Sequence, residues 1–369
     1  MTIVVPYEPA HEPAVKAFNA RLAAGGISYA FPASSVPTWL PPAPEERLFQ
    51  EFFLAVEDGV VRGGYILKHQ DFVLDGEVMS IGAFQLPLSE GVLDRAYAPI
   101  GVQLLRDALR RQPLLYTLGI GGRLESAARL LIAARFAVET VPFFFRVEHA
   151  RPFLRNIQPL RGSKVVRLGF DVAAATGAGS VAVKVVHRVR TSRKGIRPVV
   201  VASPDAFDGD VDDVWAGASD TFRFGAVRDR PVLSRLYDAP RNRFIRVTID
   251  DGGRACAWAV LLATEGRNHK YFGDMKVGSI VDLLAIPGYE RTLVDACVAR
   301  LAREGVDIIV TNQSLGLICD AIRGAGFLDG PSNFLFAASP RLSKLIGPLG
   351  PGLRTLHFDR GDGDGPINL

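Results

Sequence analysis

The chain has 369 residues, 48% of them hydrophobic and 22% charged, the balance of a folded globular protein with room for two domains and the opposite of a disordered or fibrous one. Three widely spaced cysteines (Cys256, Cys297, Cys319), with no CxxC pair, argue against a disulfide framework or a zinc site and fit a reducing compartment. The formal charge is +4, yet residues 151–200 hold eleven Lys or Arg against one acid, Asp171, so basicity belongs to one segment and the remainder is acidic.

The N-terminus lacks the basic start and apolar core of a signal peptide, and no apolar run is long enough to span a bilayer, so a cytoplasmic protein is expected. Thr2–Pro6 reads as a strand and Ala14–Ala24 as an amphipathic helix stopped by Gly25-Gly26. A Pro-rich stretch follows, from Phe31 to Pro44. Two apolar runs around Glu57-Asp58-Gly59 form a hairpin signal. Val78–Leu86 is a third strand, with LPLSEG (86–91) as a loop. Pro99 suits the first turn of a helix running to about Arg111. Leu114–Leu118 is a strand, Gly119-Ile120-Gly121-Gly122 leads into a helix at 124–134, and Val141–Val147 is a strand.

The basic segment reads as a helical connector or, in sharper form, as a surface for an anionic ligand or the inner membrane leaflet. Nucleic acid fits it poorly, because few aromatics are interleaved to stack bases. From Pro198 the pattern starts again: a strand at 199–202, a helix at 211–218, and two strands around Asp250-Asp251-Gly252-Gly253. Ser279–Ile286 is a buried strand, Pro287-Gly288 a turn, and the next helix stops at Gly305. A strand at 307–311, a short helix ending at Gly326-Phe327, and a strand at 334–338 follow. A Pro/Gly-rich tail closes the chain, read by default as flexible and alternatively as folding over a substrate site with His357 or Asp359 contributing. Phe136 and Phe327 are 191 residues apart, as are Phe143/Phe145 and Phe334/Phe336, so the chain carries an internal repeat of long period.

The repeated order of strand, helix, hairpin, strand, turn, helix, strand, helix, Gly-Phe and strand resembles the GNAT N-acetyltransferase fold. The phrases FNARL (18–22), LPLSEG (86–91), LGIGG (118–122), FLRNI (153–157), VRDRPVLSRLYDAP (227–240) and RGDGDG (360–365) are similar to those of tandem-GNAT proteins found with bacterial polysaccharide genes. The resemblance implies an α/β chain of two GNAT-like domains, 1–150 and 198–340, joined by a connector at 151–197 and followed by a tail at 341–369. It further implies acetyl-CoA (or another acyl-CoA) as cosubstrate and a small-molecule amine as acceptor, on an amino sugar or related cell-surface precursor. A fourth strand would bulge to pair with pantetheine, and the turn into the next helix would wrap the pyrophosphate, where free amides and the helix dipole suit an anion.

Carried over by position, that turn offers Pro99 and Gly101, with Arg95 nearby, in the first half, and Gly288 with Arg291 in the second, where Glu290 places an acid near the phosphates. The family's thiolate-protonating Tyr falls on Leu131 and Ile322, which cannot serve. Glu90 and Asp282 are the candidate catalytic carboxylates. The six His have no ligand spacing, so no metal is expected. Two alternatives remain open: a binding or scaffold protein that kept the fold without turnover, and an aminoacyl transferase similar to the Fem type.

Overall fold

The computed structural model describes residues 2–33, 39–156, 195–237, 243–267 and 272–363. Most of the basic connector and the last six residues lie outside them. Local chemistry sets the elements. The first sheet is entered by β1 (Ile3–Pro6) and α1 (Glu12–Ala24), then built by β2 (Phe49–Glu57), β3 (Val60–Leu74) and β4 (Glu77–Ser89). Both hairpins turn on an Asp-Gly pair with positive φ at each residue (Asp58 50° and Gly59 78°; Asp75 49° and Gly76 88°). That two-residue loop matches the strand twist. Next come α2 (Ala98–Arg111), with Pro99 in its first turn and Arg110 and Arg111 in its last, β5 (Leu115–Leu118) and α3 (Ser126–Ala133). Ile100, Leu104, Leu105 and Ala108 give α2 its buried face.

The strand predicted over 141–147 is β7 (Phe143–Val147); a short strand that the sequence did not announce, β6 (Ala137–Thr140), precedes it, and α4 (Ala150–Asn156) follows. The second half runs β8 (Val200–Ala202), α5 (Asp210–Ala218), β9 (Phe224–Ala226), α6 (Arg230–Leu236), β10 (Ile245–Asp250), β11 (Ala255–Glu265), β12 (Lys276–Ala285), α7 (Glu290–Arg303), β13 (Ile308–Asn312), α8 (Gly316–Gly324), β14 (Leu328–Gly330) and β15 (Leu335–Ala338). The tail then forms α9 (Pro340–Ile346) and a short β16 (Leu356–His357). As far as Gly363 it is packed rather than flexible: Leu356, His357, Phe358, Asp359 and Asp362 are all buried.

The covalent halves and the sheets do not coincide. One sheet runs β1-β2-β3-β4-β5-β15-β6; the other runs β14-β7-β13-β12-β11-β10-β8. Each half therefore lends its last long strand to the other: β15 lies between β5 and β6, and β7 lies between β13 and β14. Where the two connections cross, Ser332 Oγ donates to the Val141 carbonyl at 2.6 Å. Those residues are 191 positions apart, the period of the repeat. In addition, β9 pairs with β3 at 72–74, beyond the end of the β2 pairing, and with β16.

Each sheet carries the same split. β4 pairs with β5 in parallel at Gly82–Ala83, and β12 with β13 at Val277–Ser279, and the strands then part. In both, a threonine stitches the apex: Thr117 Oγ1 donates to the Phe84 carbonyl (2.5 Å) and Thr311 Oγ1 to the Ile280 carbonyl (3.0 Å). Both inner strands are irregular just beyond that point. The β3–β4 register jumps between Gly64 and Ile66, with Leu86 at φ 45°, and the β11–β12 register jumps at Val260/Leu261. β4 thus continues through the predicted loop to Ser89, past a bulge.

Candidate functional site: two clefts and a buried polar seam

In the first half, residues 86–89 of β4 and 119–122 after β5 remain partly exposed. No side chain caps the start of α2. Pro99 and Arg95 are exposed, and Gly101 has only Leu130 and Ser89 near the place of a Cβ, at 3.6 and 3.9 Å. This cleft is open along one strand and at one helix N-terminus.

Glu90 terminates the same strand but is already engaged. Its Oε2 accepts from Arg62 Nη1 at 2.7 Å and its Oε1 accepts from Arg21 Nε, while Arg21 Nη2 also donates to the Val61 carbonyl. Tyr97 lies under the Arg62 guanidinium at 4.3 Å. The ion pairs tie the end of β4 to α1 and β3.

The second cleft is filled by the chain itself. Gly288, at φ 92°, donates its N–H to Glu290 Oε2 at 2.9 Å, so the acid that sequence places near the phosphates occupies an amide there. The Arg197 guanidinium stacks on Tyr289 at 4.5 Å and stands 3.1 Å from the place of a Gly288 Cβ. Arg197 N–H and the Gly195 carbonyl both bond Thr292 Oγ1. Arg291 is turned away, its Nε and Nη2 each 3.1 Å from Asp295. Between the strands lies the tail: Asp359 bridges Gln313 in antiparallel fashion, and Gly361 sits against Asp282. A Cβ at Gly361 would stand 2.9 Å from Asp282 Oδ2 and overlap the Tyr237 hydroxyl.

Asp282 is completely buried. Its Oδ2 accepts from Arg228 Nε and from the Tyr237 hydroxyl, each at 2.7 Å. Arg228, also fully buried, donates through Nη2 to Asp362. Burial pushes the Asp282 carboxyl upward, but Arg228 and hydrogen bonds with Asp359 and Tyr237 outweigh it and hold Asp282 below the usual carboxylate range. Asp359 goes the other way: burial first, then the neighbouring Asp282 and Asp362, push it well above that range. Burial drives His357 downward against the pull of Asp362 and Asp282, which favours the neutral ring, stacked on Phe222 at 5.2 Å.

The seam continues into the first sheet. Tyr116 donates to the Asp362 carbonyl at 2.9 Å, and Gln85 Nε2 to the Gly363 carbonyl at 2.5 Å, with Gln50 Nε2 donating to Gln85 Oε1 at 3.0 Å. One segment of the tail thus fills the second cleft and ends beside the apex of the first. The structure brings Asp282, His357 and Asp359 together. It places Glu90 and Gly101 in the first cleft and Gly288 and Arg291 at the turn of the second. Sequence reasoning missed Arg228, Tyr237 and Asp362, although Arg228 and Tyr237 fall inside one of the phrases that carried the resemblance.

No protein-family model matches the chain, and no curated protein matches it by sequence. Solved structures do match. A conserved protein of unknown function from Enterococcus faecalis V583, described as a probable N-acyltransferase, superposes with a TM-score of 0.52 at 10% identity, over 94% of this chain and 74% of the other. Saccharomyces cerevisiae N-myristoyltransferase with bound myristoyl-CoA and inhibitors superposes with a TM-score of 0.51 at 11% identity, over 91% and 79%. The fold is that of GNAT acyltransferases, present twice. At this identity the likeness carries the architecture and nothing of the chemistry. No helix among the described residues is long and apolar enough to cross a membrane, and none of their His, Cys, Asp or Glu side chains form a group of three suited to a metal.

Proposed function

We propose that the chain is an acyl-CoA-dependent N-acyltransferase with one working cofactor cleft, in its first half. The observation that carries this reading is the contrast between an open first cleft, with an uncapped helix N-terminus, and a second cleft occupied by Glu290, Arg197 and residues 357–362. The bulged end of β4 offers backbone amides to a pantetheine arm. The first turn of α2 and the exposed Arg95 suit its phosphates. Bound there, acyl-CoA supplies an activated thioester carbonyl.

The acceptor amine attacks that carbonyl and gives up its proton to water at the open mouth of the cleft; the carbon–sulfur bond breaks as the amide forms, and the CoA thiolate leaves and takes a proton from the same water. Glu90, with both oxygens held by guanidinium groups, serves to brace the strand end. Asp282, sealed from solvent, serves the seam. An amino sugar or related polysaccharide precursor is the acceptor we favour, on the resemblance of the sequence phrases alone. Titration of the full-length protein with acetyl-CoA in a calorimeter tests the reading: one site per chain is expected, and absence of saturable heat with acetyl-CoA and with longer acyl-CoAs overturns it.

A second reading is favoured by Leu131 and Ile322, two buried residues that the sequence resemblance assigns to the position of a proton donor to the leaving thiolate. On that reading the chain binds acyl-CoA without turning it over. Release of free thiol in the presence of candidate amines separates the two.

A further inference from the structure

The carboxyl cluster in the second cleft does not balance as drawn by its ion pairs alone. Three aspartates, Asp282, Asp359 and Asp362, are buried together around a single guanidinium, Arg228, which is engaged by two of them. Asp359 Oδ1 accepts the Gly361 N–H at 2.9 Å, and Asp282 Oδ2 is taken by Arg228 and Tyr237. The remaining oxygens, Asp282 Oδ1 and Asp359 Oδ2, have no donor. Yet the two side chains lie within hydrogen-bonding reach of each other. Two buried acceptors in that position repel unless a proton lies between them.

We propose that Asp359 is protonated at neutral pH and donates to Asp282, so that one shared proton latches the C-terminal segment into the second cleft. The groups facing Asp359 are Asp282 from β12, Arg228 beyond β9, Tyr237 at the end of α6, Tyr116 from β5 and Asp362 from its own segment, while His357 faces Asp282 and Asp362, and the buried Lys68 of β3 reaches the Asp362 carbonyl at 3.5 Å. Burial and its two carboxyl neighbours drive Asp359 toward the acid form; Arg228 opposes them and is outnumbered. The latch also sets the first cleft, because Asp362 and Gly363, whose carbonyls bind Tyr116 and Gln85, follow directly in the chain.

The direction of the pH effect follows from linkage. The folded state raises the Asp359 pKa, so the stability it contributes is fully present below the unfolded value and is lost as pH rises through the folded value. Asp282 is lowered, so its contribution is present above its unfolded value and is lost as pH falls through the folded one.

Difference infrared spectroscopy of the full-length protein at neutral pH tests this without any ligand. A protonated carboxylic acid band is expected in the wild type and is lost in Asp359→Asn, whose amide can still donate to Asp282. Thermal unfolding from just above the unfolded carboxylate range, about pH 5, up through neutrality is expected to carry one proton's fall in stability with rising pH in the wild type, and that proton's contribution is expected to be absent in Asp359→Asn. Absence of the acid band in the wild type overturns the proposal even where the variant fails to fold. An unchanged slope over that same range in a folded Asp359→Asn overturns it as well. Neither readout depends on acyl-CoA, so the latch and the cofactor cleft stand or fall separately.

Discussion

The two clefts share a sheet pattern, a bulge beyond the split and a threonine across the apex, and differ in what fills them. In the first, the strand end and the helix start face solvent. In the second, every corresponding position is met by the protein itself: Glu290 at the turn, Arg197 over it, and the tail between the strands. A duplicated fold offers two equivalent sites, and here one has become a socket for the chain's own C-terminal segment. The groups that fill the second cleft are few, which makes the contrast testable by substitution.

The largest effect is expected at the socket. Arg228→Ala leaves Asp282 and Asp362 buried without their shared cation and should cost about 3–5 kcal/mol, read by denaturant unfolding. A loss below ~1 kcal/mol would mean that the seam is wet and the socket loosely filled. Gly361→Ala pushes a methyl group into Tyr237 and Asp282 and should cost about 1–3 kcal/mol. If the tail is held as described, hydrogen exchange of residues 356–363 should rise in this variant more than that of β12 itself.

Exchange between the two turns comes next. Gly101→Glu reproduces in the first cleft the acid that Glu290 supplies in the second. It should weaken acetyl-CoA binding at least tenfold, roughly 1.4 kcal/mol, with little change in melting temperature. Equal binding in the variant would place the phosphates elsewhere. The reverse change, Glu290→Ala, should leave calorimetric stoichiometry at one, because Arg197 and the tail still occupy the second cleft; a second site appearing would show that Glu290 alone closed it. The smallest expected effects are those of Thr117→Val and Thr311→Val, about 1 kcal/mol each for a buried hydroxyl hydrogen bond. Similar values at both would confirm that the apex is built alike in each half; a large asymmetry would break the equivalence from which the comparison starts.

Much of this architecture is legible in the sequence because it is local. Glu57-Asp58-Gly59 and the Asp-Gly turns require φ that few other residues adopt, Pro99 and Gly305 mark helix ends, and Phe136 and Phe327 declare the period. What escapes is decided at long range. Phe143–Val147 and Leu335–Ala338 have the same strand signature whichever sheet they join, so nothing local announces their exchange. Phe224–Ala226 is too short to stand out, and it finds its place only against β3 and β16.

The tail misleads for a different reason. Asp359, Gly361, Asp362 and Gly363 have the composition of a solvated loop, and they are buried only because Arg228, Tyr116 and Gln85 satisfy them from segments far away in sequence. At the site, Asp282 stands out as an acid in an apolar run. Its partners do not, since an arginine and a tyrosine in a loop and a helix end carry no periodic signal.

The reciprocal loan of strands has a consequence in time. During synthesis the edge of β5 emerges long before β15, roughly 220 residues earlier, which at about 5–20 residues per second leaves it unpaired for some 10–40 s. Throughout that interval the nascent first half exposes a strand edge with the hydrogen-bonding capacity of an aggregation template. The one strand of its own with the same signature is β7, which the finished fold places against β13 and β14 instead. The molecule therefore matures as a whole, its first domain finished only when its last strand arrives. The arrival of β15, more than the folding of the first half's own residues, sets the moment at which the open cleft acquires its final shape.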